Sequence, residues 1–207
     1  MPNANAPSGF QSGRPYDGRA PTWGSPVSYI LWNYATPIAY GDPVFLATDG
    51  TIRVVPQGGT TVHGIFRGCK YYDPTQQRTQ WYPAWRAPVL NSSLIVEAYV
   101  DSSENDTFRC QTVGAAAVTQ AQVGLNIDIV AASSGAPNAA GMSVCALNQA
   151  TIANTATFPF RIVGIVGYPS VLASPGGPYP GYDPTLPYNW VEVIMNTNDQ
   201  TTRTGQS

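Results

Sequence analysis

Residues 41–55 read GDPVFLATDGTIRVV. Two β-prone runs, PVFLA and IRVV, flank an Asp-Gly step. That pattern is a strong short-range signal for a hairpin turn. Asp42 precedes Pro43, which disfavours helix there and suits the start of a strand. Asp49 precedes Gly50 and suits the turn. The competing reading makes the two carboxylates an acid/base pair. With Val44 to Thr48 extended, however, they stand about 20 Å apart at ~3.3 Å per residue. That is too far to share a proton or to flank one glycosidic bond. The stretch predicts a hairpin and no chemistry.

Working outward, PQGGTT is the next turn, and VHGIFRGCKYY is a strand with glycine kinks at Gly64 and Gly68. LIVEAYV alternates, with Ile95, Glu97 and Tyr99 on one face and Leu94, Val96, Ala98 and Val100 on the other. DSSEND is a turn, and TFRCQTV, LNIDIV, MSVCAL, FPFRIVGIV and NWVEVIMN follow as strands. DPTQQRTQWYPAWRAPVLNSS is a long insertion, and AAAVTQAQV suits a loop better than a helix because Gly124 and β-branched neighbours follow. Roughly eight to ten short strands with almost no helix predict an all-β chain, a small antiparallel β-barrel or β-sandwich. The expected organisation is an extended Pro/Gly-rich N-terminal arm over 1–40 and a core over 41–168. A Pro/Gly-rich loop over 169–189, a closing strand over 190–197 and a polar tail over 198–207 follow.

At 207 residues the chain suits one β-rich domain with appendages. Only 11% of its residues are charged, against roughly 25% in an average soluble domain. Lys70 is the only lysine among ten basic residues, and the net charge is −2. No clustered positive charge suggests nucleic acid as a partner. Few charges, many Tyr and Trp, and Arg over Lys resemble interface composition. MPNANAPSGFQ lacks the basic and apolar regions of a signal peptide, and no apolar run reaches membrane-spanning length. Cys69, Cys110 and Cys145 form no CxxC pair and read as free, buried thiols.

Catalytic chemistry is thinly supplied. His63 is the single histidine, and no GxSxG elbow accompanies it. Glu104 and Asp106 in SSENDT could hold calcium weakly, but a hairpin tip favours such residues anyway. No phosphate-cradling glycine motif occurs, and the chain implies no catalytic residue, metal or cofactor. The conspicuous cluster is QWYPAWRAP, where Trp81, Tyr82 and Trp85 flank Pro83 beside Arg86. It reads as a plug at one end of the fold, a subunit interface or a sugar-binding platform. Aromatics in the arm, Phe10, Tyr16, Trp23, Tyr29 and Trp32, seek pockets on the parent domain or on a neighbour. Tyr179 and Tyr182 in PGGPYPGYDP complete the expected contact residues.

NANAPSGFQSGRPYDGRAP, YILW…ATPIAYGDPV, TDGTIRVVPQGG, HGIFRGCKYYDP, QWYPAW and NWVEVIMN follow one another in that order. In that order they resemble a family of tailed-bacteriophage virion structural proteins. Its members share an NAN-x-P-x-GF arm, a GD-x-V strand, a GV-F-x-GC-x-Y strand and a Y-x-P-A-x turn. The resemblance covers most of the chain and is weakest over 111–150 and 169–189. Gln11 and Ser12 depart from the more basic arm expected. It implies a decoration (cement) protein on the capsid exterior, β-barrel or β-tulip in fold and often trimeric. The major capsid protein would be its partner, with no membrane or nucleic acid, and the virion its location after synthesis in the host cytoplasm. Among other readings, a carbohydrate-binding β-module for host adhesion competes most directly, with a head fibre, tail or shell subunit also open.

Overall fold

A computed structural model describes residues 3–15, 27–88, 94–103, 105–130, 137–167 and 183–196. Tyr16, Trp23, Tyr179, Tyr182 and the 198–207 tail lie outside them. Among the described residues the regular elements are strands and two short 3-10 turns, at Gln120–Gln122 and Gln149–Thr151. The strands are β1 Gln11–Pro15, β2 Val27–Ile30, β3 Pro43–Leu46, β4 Ile52–Val54, β5 Gly64–Asp73 and β6 Arg78–Tyr82. They continue with β7 Val96–Asp101, β8 Asp106–Val113, β9 Asn126–Ile127, β10 Leu147–Asn148, β11 Phe160–Ile165 and β12 Trp190–Met195.

These strands make two packed sheets, a sandwich-like arrangement and not a closed barrel. One runs β1-β8-β12-β11-β9, with β10 alongside the far half of β8 in the one parallel pairing among the described strands. The other runs β2-β7-β5-β3-β4, with β6 on the far half of β5. The second sheet curls until its outermost strands, β2 and β4, touch, yet no ladder joins them.

The opening hairpin forms as the Asp-Gly signal requires. β3 and β4 pair antiparallel, Val44 opposite Val54 and Leu46 opposite Ile52. Gly50 takes φ 77° in the turn, a conformation that glycine adopts without penalty. Long β5 bends at Gly68, where the register to β7 shifts by a bulge and φ reaches 127°.

The core has two parts. Between the sheets lie Phe10, Ile65, Phe108, Ile127, Phe160, Ile162 and Val193, with their neighbours. Inside the curled sheet lie Ile38, Ile52, Phe66, Tyr71, Trp85, Val96 and Val100.

Of the expected extended arm over 1–40, the described residues 3–15 and 27–40 lie against the parent domain. β1 pairs with β8, Gln11 opposite Arg109 and Ser12 opposite Phe108, and β2 pairs with β7. Phe10 is 1% exposed and stacks on Phe160 at 4.4 Å between ring centroids. The Asn3 side chain donates to the carbonyls of Asp183, Leu186 and Pro187 and accepts from the Asp183 N–H at 2.8 Å. Gln111 donates to the Ala4 and Tyr188 carbonyls and accepts from the Ala6 N–H. Side-chain amides can satisfy several backbone groups at once, so the segment is held without helical or strand periodicity. Residues 183–189, expected in an exposed loop, are fastened by the same amides, and Asn189 is buried.

Because Phe10 fills the space between the sheets, Phe10→Ala is expected to cost about 3–5 kcal/mol. Urea unfolding checks this. An arm peripheral to the core would give a change within about 0.5 kcal/mol instead.

Candidate functional site

Strand alternation divides the second sheet into a sealed face and an open one. On β7, Val96, Ala98 and Val100 are buried, while Glu97 and Tyr99 point outward. On β2, Ser28 and Ile30 are buried, and Val27 and Tyr29 are exposed, Tyr29 at 49%. On β5, Cys69 and Tyr71 face in, and Lys70 and Tyr72 face out. On β6, Trp81 faces out and is 52% exposed.

The ladder registers bring these outward residues together. Tyr29 lies opposite Glu97, Glu97 opposite Lys70, and Lys70 opposite Trp81. The result is one row across four strands, aromatic, acid, base, aromatic, about 14 Å from end to end at ~4.8 Å per strand. Lys70 Nζ and Glu97 Oε2 are 3.6 Å apart at its centre. Ile95, 68% exposed, and Tyr72 flank the row. Trp81 covers the Gly68 bulge: a Cβ at Gly68 would come within 2.6–2.7 Å of its Cζ2, Cε2 and Nε1. The missing side chain at Gly68 therefore makes the seat for the indole.

Beside Tyr29 a groove of about 350 Å³ opens, lined by Trp32, Thr51, Leu94 and Ile95 among others. It is mostly apolar in its lining side chains and of a size that can take an aromatic group.

The other expected contact residues have internal duties. Trp85 is fully buried, donates from Nε1 to the Tyr34 carbonyl at 2.9 Å and meets Tyr71 edge-on. Within QWYPAWRAP, Trp85 is a core residue inside the curled sheet. Tyr82 stacks on Tyr71 and donates its hydroxyl to Asp73. Arg86 is exposed but donates to the carbonyls of Asn138 and Ala139. Phe10 belongs to the core between the sheets. Of the residues singled out in the sequence, Tyr29 and Trp81 share the open face, and Trp32 lines the adjoining groove. Ile95, Glu97 and Tyr99 were legible as one strand face. Their meeting with Lys70 and Trp81 needed the register, which a single sequence does not carry.

The carboxylates of the opening stretch do not meet a common ligand. Asp42 is buried; it accepts from the Ala39 N–H at 2.7 Å and from Ser143 Oγ at 2.5 Å. Asp49 is exposed and accepts from the Thr51 hydroxyl and N–H and from Arg53. The Thr51 hydroxyl first, then its N–H, lower the Asp49 carboxyl to about 2, with Arg53 adding to them. His63 is buried with its Nε2 3.4 Å from Ser28 Oγ. Asp106 sits in a turn closed by its own N–H to the Ser103 carbonyl, and Glu104 lies outside the described residues. Among the described residues no three His, Cys, Asp or Glu side chains gather as metal ligands. In the same residues no helix is long and apolar enough to cross a membrane.

The three cysteines are free and buried. Burial pushes the Cys69 thiol up to about 12 and raises those of Cys110 and Cys145 as well. A thiol must ionise to attack, so these are poor nucleophiles.

No family model, curated protein or solved structure matches the chain.

Two outcomes follow from these environments. At pH 8 in native buffer, none of the three thiols is expected to react with a disulfide reagent within minutes, and all should react in denaturant; a fast native thiol would show an opening at that strand. Asp49 has a depressed folded pKa, so its stabilising contribution is present above its ordinary value of 3.8 and is lost as pH falls toward about 2. Asp49→Asn should flatten the stability profile across that window, as acid titration followed by circular dichroism would show.

Proposed function

We propose that the chain is a non-enzymatic virion structural protein, a decoration or cement protein that binds the exterior of a phage capsid and stabilises the head. The observation that carries this reading is the open aromatic sheet face. Surface sheets of isolated domains put polar residues on the side away from the core. This sheet puts Val27, Tyr29, Tyr72, Trp81 and Ile95 there, which is the residue chemistry of a covered interface. The ordered motifs shared with the phage family support the same reading, as does the low charge of the whole chain. In this reading the curled sheet backed by a second sheet is a β-tulip-like module. It is anchored to the major capsid protein in many copies, so that weak contacts sum to firm attachment.

Deleting residues 1–35 cannot test the proposal, because Phe10, β1 and β2 belong to the fold. Purified protein added to heads that lack it tests it directly. Saturable binding and a rise in the temperature at which the heads release DNA are expected. Absence of binding would sink the proposal, and binding without the rise would leave decoration without cementing.

A carbohydrate-binding module is the second reading, favoured by exposed Trp81 beside the Lys70–Glu97 pair, an aromatic surface with hydrogen-bonding groups at hand. Specific signals on a glycan array that vanish with Trp81→Ala would replace the first reading with this one.

A further inference from the structure

The open row has a symmetry of its own. It reads Tyr29, Glu97, Lys70, Trp81 across β2, β7, β5 and β6. A two-fold axis lying in the face, parallel to the strands and between β7 and β5, turns the row end for end. Glu97 then faces Lys70 of the second copy, and Lys70 faces its Glu97. Tyr29 faces Trp81 of the second copy. A self-complementary patch of this kind is what an isologous dimer needs, since each contact occurs twice.

We infer that the aromatic face is the dimer interface of this chain, with Trp81 of each subunit docking at the groove beside Tyr29 of the other. Three observations support this occupant. The charges of the row complement their own two-fold image, and so do its two aromatic ends. The groove of about 350 Å³ opens beside Tyr29, where the axis delivers the partner's indole. The side chains involved are free to re-pair: Lys70 and Glu97 are 44% and 39% exposed and form an intrachain ion pair at 3.6 Å. An exposed pair of that kind contributes little to the fold, so its groups can turn to a partner. In the dimer each pair would become part of a four-charge ring screened from water by Tyr and Trp, the arrangement in which charged contacts set register and partner choice.

The inference rests on reading this face as a protein interface, but not on the capsid being a partner. Its test contains no capsid. Sedimentation equilibrium of the full chain is expected to show a monomer–dimer equilibrium. Lys70→Glu places Glu opposite Glu97 twice, and Glu97→Lys places Lys opposite Lys70 twice, so each variant alone should be monomeric. Mixed in equal amounts the two variants should form a heterodimer, because one subunit then carries both acids and the other both bases. Trp81→Ala should weaken the dimer about 30-fold, as expected for loss of an aromatic hot spot. Native-state circular dichroism spectra of the charge variants should overlay that of the wild type, which separates lost association from lost folding, while the wild-type melting temperature alone should rise with protein concentration. A wild type that remains monomeric overturns the inference, as does a trimer, or a dimer insensitive to all three substitutions. A mixture of the two charge variants that stays monomeric also overturns it. None of these outcomes decides whether the protein binds heads.

Discussion

The guanidinium of Arg67 lies where the two sheets meet, and it holds three parts of the chain in one place. Its Nε donates to Asp101 Oδ2 at 2.6 Å, one amino group to the Phe10 carbonyl at 2.8 Å and the other to Ser12 Oγ at 2.9 Å. Its flat faces lie near Tyr40 and Phe108, at 5.2 and 5.9 Å from the ring centroids. A buried cation is costly unless its donors are met, and arginine's planar fork meets several acceptors at fixed angles. Here the acceptors come from the end of β7 and from the start of the chain. Arg67 therefore ties β1 and its neighbours to the curled sheet. With that tie, Phe10 enters the space between the sheets and stacks on Phe160. A lysine could supply the charge but not the fork.

Close behind this tie the chain crosses itself. Gly9 has φ 71° and Gly41 φ 92°, and a Cβ at Gly9 would come within 2.9 Å of the Gly41 carbonyl and 2.6 Å of Ser143 Cβ. Phe10 N–H donates to the Gly41 carbonyl, and Gly41 N–H donates to that of Phe66. Asp42 then takes the N–H of Ala39 and the hydroxyl of Ser143, whose oxygen also accepts from the Cys145 N–H. Three distant segments, 9–10, 39–42 and 143–145, are thus bonded through one carboxylate and two glycines. The aspartate that began as a candidate acid serves as a junction for backbone groups that would otherwise be buried unmet.

What could be read from the sequence was what neighbouring residues decide. The Asp-Gly turn of β3–β4, the alternation of β7 and the kink at Gly68 are local, and each stands in the structure as its residues require. The sandwich-or-barrel expectation was also right at the level of an all-β fold of packed sheets. What escaped was decided by distant partners. β1, with the sequence QSGRP, has no apolar alternation; it is a strand because β8 offers it a ladder and Arg67 holds Ser12. Trp81 and Trp85 stand four residues apart in one motif, yet one is half exposed and the other sealed. Trp81 is the last residue but one of β6, facing out opposite Lys70, whereas Trp85 lies past Pro83 and bridges to Ile38 inside the curl. Nothing within QWYPAW distinguishes them.

The open face follows from how the sheet spends its apolar residues. Curling buries one side of β2, β7 and β5 around Trp85, Phe66 and Tyr71, with Tyr82 of β6 partly buried against them, so the sheet closes its own core without help from the opposite sheet there. The sheet of β8, β12 and β11 packs instead against the near half of β5 and the segments after β4, where Ile65, Val55 and Val62 join the inter-sheet core. Among the described residues the far half of β5, with β6, β7 and β2, has no further sheet on its outward side. A solvated sheet in that position loses nothing by carrying Thr, Lys and Glu throughout. This one carries Trp, Tyr, Val and Ile around a single Lys–Glu pair, and it removes a side chain at Gly68 to seat the indole. Val27, Tyr29, Tyr72, Trp81 and Ile95 belong to neither core cluster, and the proposal that a surface is laid against them accounts for their place on the outward side.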